Sequence, residues 1–146
     1  MTTDQAGGAE KPMSMRTVVV ASSAGTAFEW YDFFVFGTLA SVIGKNFFAE
    51  LGDTAGTLAA LALFGAGFFF RPLGALIFGR IGDRTGRKGA FLITVILMGA
   101  ATFAIGLLPT YAMAGPLAPL LLILMRIIQG TALGGEYGGA AIYVAE

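Results

Sequence analysis

The chain has 146 residues, of which 56% are hydrophobic and only 12% are charged. A soluble domain carries about twice that charged fraction, so the composition excludes an ordinary soluble domain. It predicts an integral membrane protein whose partner is the lipid bilayer and not a nucleic acid. The chain contains no cysteine and no histidine, which excludes a disulfide framework and the usual nitrogen and sulfur ligands of zinc. We therefore expect no cofactor and no metal.

The N-terminal region is predicted to form a polar tail over residues 1–16, followed by a first membrane span over about 17–43. A signal peptide is the alternative for this region, because Lys11 and Arg16 precede a short apolar stretch. That stretch is too short for a signal peptide, and the sequence stays apolar beyond it. We therefore favour a membrane span.

Three further spans are predicted, over about 57–79, 89–108 and 117–145. The third of these has 20 residues without a charge, the length that a hydrocarbon core of about 30 Å requires. Residues 45–56 are predicted to form a short outer loop, and three prolines mark the turn before the last span: Pro109, Pro116 and Pro119. The sequence therefore predicts an all-α membrane protein with four transmembrane helices.

A basic, glycine-rich turn with the sequence GRIGDRTGRK is predicted over Gly79–Lys88. This turn holds four Lys and Arg residues and residues 1–17 hold two, whereas the other two connecting segments hold only Lys45. Because Lys and Arg accumulate on the cytoplasmic side of membrane proteins, we expect the N-terminus, this turn and Glu146 to be cytoplasmic.

Two carboxylates, Glu29 and Asp32, lie inside the first span. An α-helical rise places them about 17 and 21 Å beyond Val18, near the middle of the bilayer, where a charge costs about 2.5–3.5 kcal/mol. Desolvation and mutual repulsion should keep at least one of them protonated, and such a group can take up and release a proton near neutral pH. The alternative is that hydrogen bonds inside a helix bundle hold both without any titration.

Arg126 is the counter-charge that the fourth span offers, and its helical position places it about level with Asp32. Three more polar side chains fall within one arc of the same helix as Arg126: Gln129, Glu136 and Tyr137. Such a polar face should border a cavity and not lipid.

Small residues also repeat along this span, at Gly130, Gly134 and Gly138. A stripe of small residues allows close contact between membrane helices, so we expect these glycines to serve helix packing. In the second span, Arg71 before Pro72 fits a side chain that snorkels to the membrane surface as well as it fits a ligand contact.

The central turn resembles the G-x-x-x-D-R-x-G-R-[RK] loop between helices two and three of the major facilitator superfamily. The matching residues are Gly79, Asp83, Arg84, Gly86, Arg87 and Lys88. Three further segments are similar to the metabolite:proton symporter branch of that superfamily: residues 25–33 (GTAFEWYDF), residues 71–74 (RPLG), and residues 126–140, which run from RIIQG to GGEYGGA.

The resemblance implies a proton-coupled symporter that works by alternating access and has protons as its coupling ion. In such a transporter we expect Glu29 and Asp32 to bind the coupling proton. We expect the substrate to be bound by the polar face of the fourth span: Arg126, Gln129, Glu136 and Tyr137. Members of the branch carry dicarboxylates, citrate, shikimate, proline and betaine. Their fold has twelve helices in two halves, and Asp83 with its neighbouring arginines would lock the cytoplasmic side against the second half. Because this chain stops at the fourth span, we expect a fragment whose partner is the C-terminal helices of the same transporter.

Two other functions remain open from the sequence. A self-contained four-helix proton-coupled exporter could act as a dimer, although a cation exporter gains nothing from a buried arginine. A membrane assembly subunit that does not transport is also possible, but it would leave the intramembrane charges unexplained. An enzyme is not expected, because no H-E-x-x-H, G-x-S-x-G or P-loop sequence occurs.

Overall fold

The computed structural model describes the backbone of residues 15–145 and the side chains of Arg16, 19–20 and 23–137. This range consists of helices and short connections without a strand. The helices are α1 Met15–Thr38, α2 Ala40–Phe47, a 3₁₀ turn Ala49–Leu51, α3 Gly52–Phe69, α4 Arg71–Thr85, α5 Arg87–Leu107, α6 Tyr111–Ala114 and α7 Leu117–Ala145. Residues 1–14 of the predicted tail and Glu146 lie outside the described residues.

Three segments are long and apolar enough to cross a membrane: Ala49–Thr85, Arg87–Leu107 and Leu117–Tyr137. The first contains the second predicted span, and the other two overlap the third and fourth predicted spans, which were expected to end at residues 108 and 145. Helix α1 is long enough, at 24 residues, but within the described part of the chain it is not apolar enough to be counted with these three. Its serines, threonines and glycines, together with Glu29 and Asp32, lower its hydropathy.

The first predicted span bends at Leu39, where α1 ends and α2 begins. The helical hydrogen bonds nevertheless continue across the bend, because the Leu39 amide donates to the Val35 carbonyl at 2.9 Å and the Ile43 amide donates to the Leu39 carbonyl at 2.8 Å. On both sides of the bend, Phe36 and Ala40 are buried against Ala60 of α3. This contact fixes the outer half of α1 on the bundle.

The predicted outer loop over residues 45–56 is mostly helical, which corrects the sequence-based expectation. Helix α2 runs to Phe47 and α3 begins at Gly52, so the connection is a tight one. Gly44 makes it possible, since a Cβ there would lie 2.6 Å from backbone atoms of α3. An exposed ion pair of 3.4 Å between Lys45 and Asp53 spans the same connection.

The predicted cytoplasmic turn is likewise shorter than expected, because α4 continues to Thr85 and α5 begins at Arg87. Gly86 alone connects the two helices. Its φ of +90° is a backbone conformation that side chains disfavour, and its amide donates to the Gly82 carbonyl at 3.0 Å. Asp83, Arg84 and Lys88 are exposed on helical backbone, whereas Arg87 is half-buried.

Helix α7 is the centre of the bundle and packs against α3, α4 and α5. Glycines set these distances: a Cβ at Gly130 would lie 2.3 Å from the Gly67 carbonyl oxygen, and one at Gly134 would lie 1.9 Å from that of Arg71. From the other side, a Cβ at Gly74 would lie 1.9 Å from the Thr131 carbonyl oxygen. Gly138 lies outside the residues whose side-chain surroundings the structure describes. Close packing of α7 thus brings its polar residues next to α1 and α4.

Candidate functional site

An ion pair between α1 and α7 lies inside the bundle. The Arg126 Nη1 is 2.8 Å from the Asp32 Oδ2, and the Arg126 side chain is only 4% exposed. Gln129 accepts a second hydrogen bond from the same nitrogen, and its amide donates to the Thr102 hydroxyl of α5 at 2.7 Å. The contact agrees with the equal depths expected for Arg126 and Asp32, and it links three helices.

One edge of the Arg126 guanidinium has no partner. Both of its hydrogen bonds come from Nη1, while Nε and Nη2 are buried without an acceptor among the described residues. The Phe36 ring centroid lies 3.7 Å from the guanidinium carbon and that of Phe64 lies 5.2 Å away. Aromatic rings attract the cation, but they do not satisfy its N–H groups. Buried charged donors without an acceptor are costly, so this edge is suited to an anionic ligand.

A second ion pair joins α1 to α4, where the Arg71 Nη1 is 2.8 Å from the Glu29 Oε1. The other carboxylate oxygen of Glu29 accepts a hydrogen bond from the Tyr137 hydroxyl. The Phe68 ring lies 4.1 Å from the Arg71 guanidinium carbon, and the Arg71 Nε is buried without a partner in the described part of the chain. Sequence reasoning left Arg71 undecided between snorkelling and binding, and the structure places it in a network.

Each first-helix carboxylate therefore has its own arginine. Arg126 was expected as the counter-charge at the depth of Asp32, whereas the pairing of Glu29 with Arg71 was not expected. A count of the charges in the predicted spans could have indicated that each of the two carboxylates pairs with an arginine. Those spans hold two arginines, and both stand on helices other than the one with Glu29 and Asp32. What the sequence could not give was which arginine meets which carboxylate.

A small cavity of about 20 Å³ lies between the two networks. Its lining includes Arg71, Arg126, Asp32 and Gln129. This volume is close to the minimum that a single water molecule needs, so an organic ligand requires the helices to separate. The open edge of Arg126 and the Nε of Arg71 thus belong to side chains that line the same small cavity.

Glu136 lies apart from this cavity, contrary to its expected grouping with Arg126. Ten residues separate the two, and at 100° per residue they are about 80° apart around the helix. Glu136 lines a separate cavity of about 360 Å³ between α1, α5 and α7, together with Phe28 and Met98. Tyr137 is 54% exposed and contacts the site through its bond to Glu29 and through its ring, whose centroid lies 5.8 Å from the Arg71 guanidinium carbon.

In the described part of the chain, the residues of the predicted cytoplasmic turn take no part in either network. Along α4, Asp83 is twelve residues beyond Arg71, which corresponds to about 18 Å. Asp83, Arg84 and Lys88 are exposed, so they form a surface at the end of the bundle.

The chain matches the family described as "Sugar (and other) transporter" over residues 17–146. It is 50% identical over 132 residues to the shikimate transporter of Escherichia coli (strain K12) and 47% identical over 132 residues to the proline/betaine transporter of Salmonella typhimurium (strain LT2). It is also 48% identical over 134 residues to an inner membrane metabolite transport protein of E. coli.

These matches cover 90–91% of this chain but only 26–30% of the relatives' own length. No solved structure matches the chain. The relatives are named as transporters and not as enzymes. Since the family match covers nearly the whole sequence, this chain belongs to the sugar (and other) transporter family of the major facilitator superfamily.

Proposed function

We propose that this chain is the N-terminal part of a secondary active transporter that carries a small organic acid or zwitterion together with protons. The observation that carries the proposal is the buried Arg126, whose Nε and Nη2 have no acceptor among the described residues. The relatives' names support it, because shikimate, proline and betaine all contain a carboxylate.

The substrate carboxylate binds the open edge of Arg126 through two parallel hydrogen bonds. The Nε and Nη2 groups lie on the same side of the planar guanidinium and match the two oxygens of a carboxylate. Asp32 and Gln129 occupy the opposite side through Nη1, so they hold the plane in position. The cavity widens for the substrate when the helices move during alternating access.

Proton coupling follows from the charges within the predicted spans. Three carboxylates and two arginines lie there: Glu29, Asp32, Glu136, Arg71 and Arg126. The sum is one negative charge, and a substrate carboxylate adds another. Because a second uncompensated charge is costly in a membrane, proton uptake accompanies substrate binding. Glu29 and Asp32 take part in coupling because they and the substrate compete for the same two arginines, Arg71 and Arg126.

Replacing Arg126 with lysine tests the substrate site in the transporter expressed from its complete reading frame. An ammonium is a point donor and cannot reproduce a two-pronged contact, so Arg126→Lys should weaken carboxylate binding by more than tenfold. Arg16→Lys is the matched control, because Arg16 is exposed at the start of α1. Equal affinities of Arg126→Lys and wild type for a panel of labelled organic acids and zwitterions would disprove the substrate site.

The proposed topology has four spans in the bacterial inner membrane, with α1 as the first and the N-terminus in the cytoplasm. The Lys and Arg distribution supports this orientation. Single cysteines at Thr85 and Asp53, both exposed, can be labelled in intact cells with an impermeant thiol reagent. The proposal expects label at position 53 only, and label at position 85 only would reverse the orientation.

The cytoplasmic end of α4 is proposed to lock against the remaining helices of the transporter, with Asp83 as the central group. Its exposure and its distance from Arg71 support a role in gating and not in binding. Asp83→Asn should slow transport, while equilibrium substrate binding stays within a few-fold of wild type. Loss of binding in a correctly folded variant would contradict the gating role.

A further inference from the structure

Glu136 occupies an unusual position for a membrane carboxylate. Its side chain lies directly against Gly25 of α1, so closely that a Cβ at Gly25 would overlap its carboxylate. The cavity that it lines is otherwise almost entirely apolar, with Phe28, Met98 and Phe103 in the wall. Among the described residues, no hydrogen bond or ion pair is formed by Glu136.

The ionisable groups around Glu136 are already engaged with one another. From α1, Glu29 approaches it but is bonded to Arg71 of α4 and to Tyr137 of α7. Tyr31 of α1 lines the same cavity, whereas α5 contributes to the lining only apolar residues and Thr102. No arginine or lysine lines this cavity.

Glu136 therefore differs from the two other carboxylates of the spans. Glu29 and Asp32 each have an arginine at 2.8 Å and a second polar partner. Glu136 has neither kind of contact in the described part of the chain. A charged carboxylate without such a partner is costly to bury among apolar side chains, so Glu136 is the carboxyl group of the spans that is best suited to hold a proton.

We propose that Glu136 carries the proton that is exchanged during transport. This inference rests on the proposed function and names the group that the coupling uses. The proton binds a carboxylate oxygen of Glu136 while the cavity is closed, and it leaves to water when helix movement hydrates the cavity. Glu29 and Asp32 then contribute to coupling by holding Arg71 and Arg126.

The charge on Glu136 affects substrate binding directly, through electrostatics, and indirectly, through Arg71. Ionised Glu136 leaves the spans with one net negative charge and attracts the arginine that Glu29 now holds. Protonated Glu136 makes the spans neutral, which favours the arrival of a substrate carboxylate at Arg126. By linkage, the substrate in turn favours protonation of Glu136. Proton and substrate therefore bind together, as symport requires.

The test is the pH dependence of substrate affinity in the transporter expressed from its complete reading frame, with shikimate, proline and betaine as probes. Once pH rises above the titration of Glu136, the wild-type Kd for a bound probe should increase about tenfold per pH unit, as expected when one proton is linked to binding. Glu136→Gln imitates the neutral acid, so its Kd should stay at the low-pH value throughout. Glu50→Gln, the same change at an exposed outer carboxylate, should keep the wild-type slope.

A Glu136→Gln variant that retained the wild-type slope would overturn the assignment. If that variant fails to fold, Glu136→Asp replaces it: the shorter carboxylate should shift the pH at which the slope begins, and an unshifted profile would equally overturn the inference. Failure of the proposed function has a different signature. In that case the wild type itself shows neither binding of the probes nor proton-driven uptake.

Discussion

The two ion pairs of this bundle use the same chemistry at different degrees of burial. Arg126 and Asp32 are 4% and 15% exposed, whereas Arg71 and Glu29 are 22% and 19% exposed. Gln129 connects the inner pair to Thr102 of α5, and the outer pair ends at the exposed Tyr137. The inner pair is therefore held from several sides, and the outer pair lies at the edge of the bundle.

The difference indicates separate tasks for the two arginines. A guanidinium that is fixed by neighbours and has one free edge is suited to recognition, because little freedom is lost when a ligand binds. An arginine at the edge can change partners at low cost, since partly exposed ion pairs contribute little stability. We therefore assign substrate recognition to Arg126 and a switching role to Arg71.

The largest expected effect is the loss of Arg126. Arg126→Leu leaves Asp32 as an uncompensated charge in the bundle and should lower the free energy of unfolding by about 3–5 kcal/mol. Arg71→Leu should cost less, because Glu29 keeps the hydrogen bond from the Tyr137 hydroxyl, whereas the Gln129 amide is 3.5 Å from Asp32. Reversible unfolding in mixed micelles measures both variants. Equal losses would remove the distinction between the inner and the outer pair.

A double replacement separates the fold of the inner pair from its function. Asp32→Asn combined with Arg126→Gln removes both charges, so most of the stability lost in Arg126→Leu should return. Substrate uptake should not return, because no guanidinium remains for the carboxylate. Recovery of proton-driven uptake in the double variant would mean that Asp32 and Arg126 serve only assembly.

The sequence predicted the helices well because hydropathy and length determine them. The third span, expected over 89–108, is α5 Arg87–Leu107. Local backbone geometry was less predictable: residues 79–88 contain enough glycine for an open turn, yet one residue, Gly86, makes the whole connection. Glycine content indicates that a turn is possible but not how many residues it takes.

Partners across helices were the least predictable part of the site. Helical rise gave the correct depth for Asp32 and Arg126, because depth depends on one chain segment at a time. Direction around a helix depends on how its neighbours pack. For that reason Arg71 was not expected to meet Glu29, and Glu136 was grouped with Arg126 although it faces another cavity.

A smaller effect is expected from the glycines that position the arginines. Gly134→Ala places a methyl group 1.9 Å from the backbone oxygen of Arg71, so α4 must move away from α7. Overpacking of this kind costs about 1–3 kcal/mol, and the outer pair should be disturbed more than the inner one. Gly65→Ala is the control, since its added Cβ meets nothing within 4 Å. Similar unfolding free energies for the two variants would show that α4 and α7 can separate freely.

The smallest effect is expected at the exposed end of the outer pair. Tyr137→Phe removes the hydroxyl that donates to Glu29 and keeps the aromatic ring, whose centroid lies 5.8 Å from the Arg71 guanidinium carbon. A single hydrogen bond to a carboxylate contributes about 1.5–3 kcal/mol, and the exposure of Tyr137 should bring the loss below that range because water replaces the hydroxyl. Substrate affinity, which depends on Arg126, should change by no more than a few-fold. Equilibrium binding and unfolding of the same preparation measure both quantities. A loss of affinity as large as that of Arg126→Lys would mean that the outer pair takes a direct part in recognition, and the separation of the two arginines into recognition and switching would then be wrong.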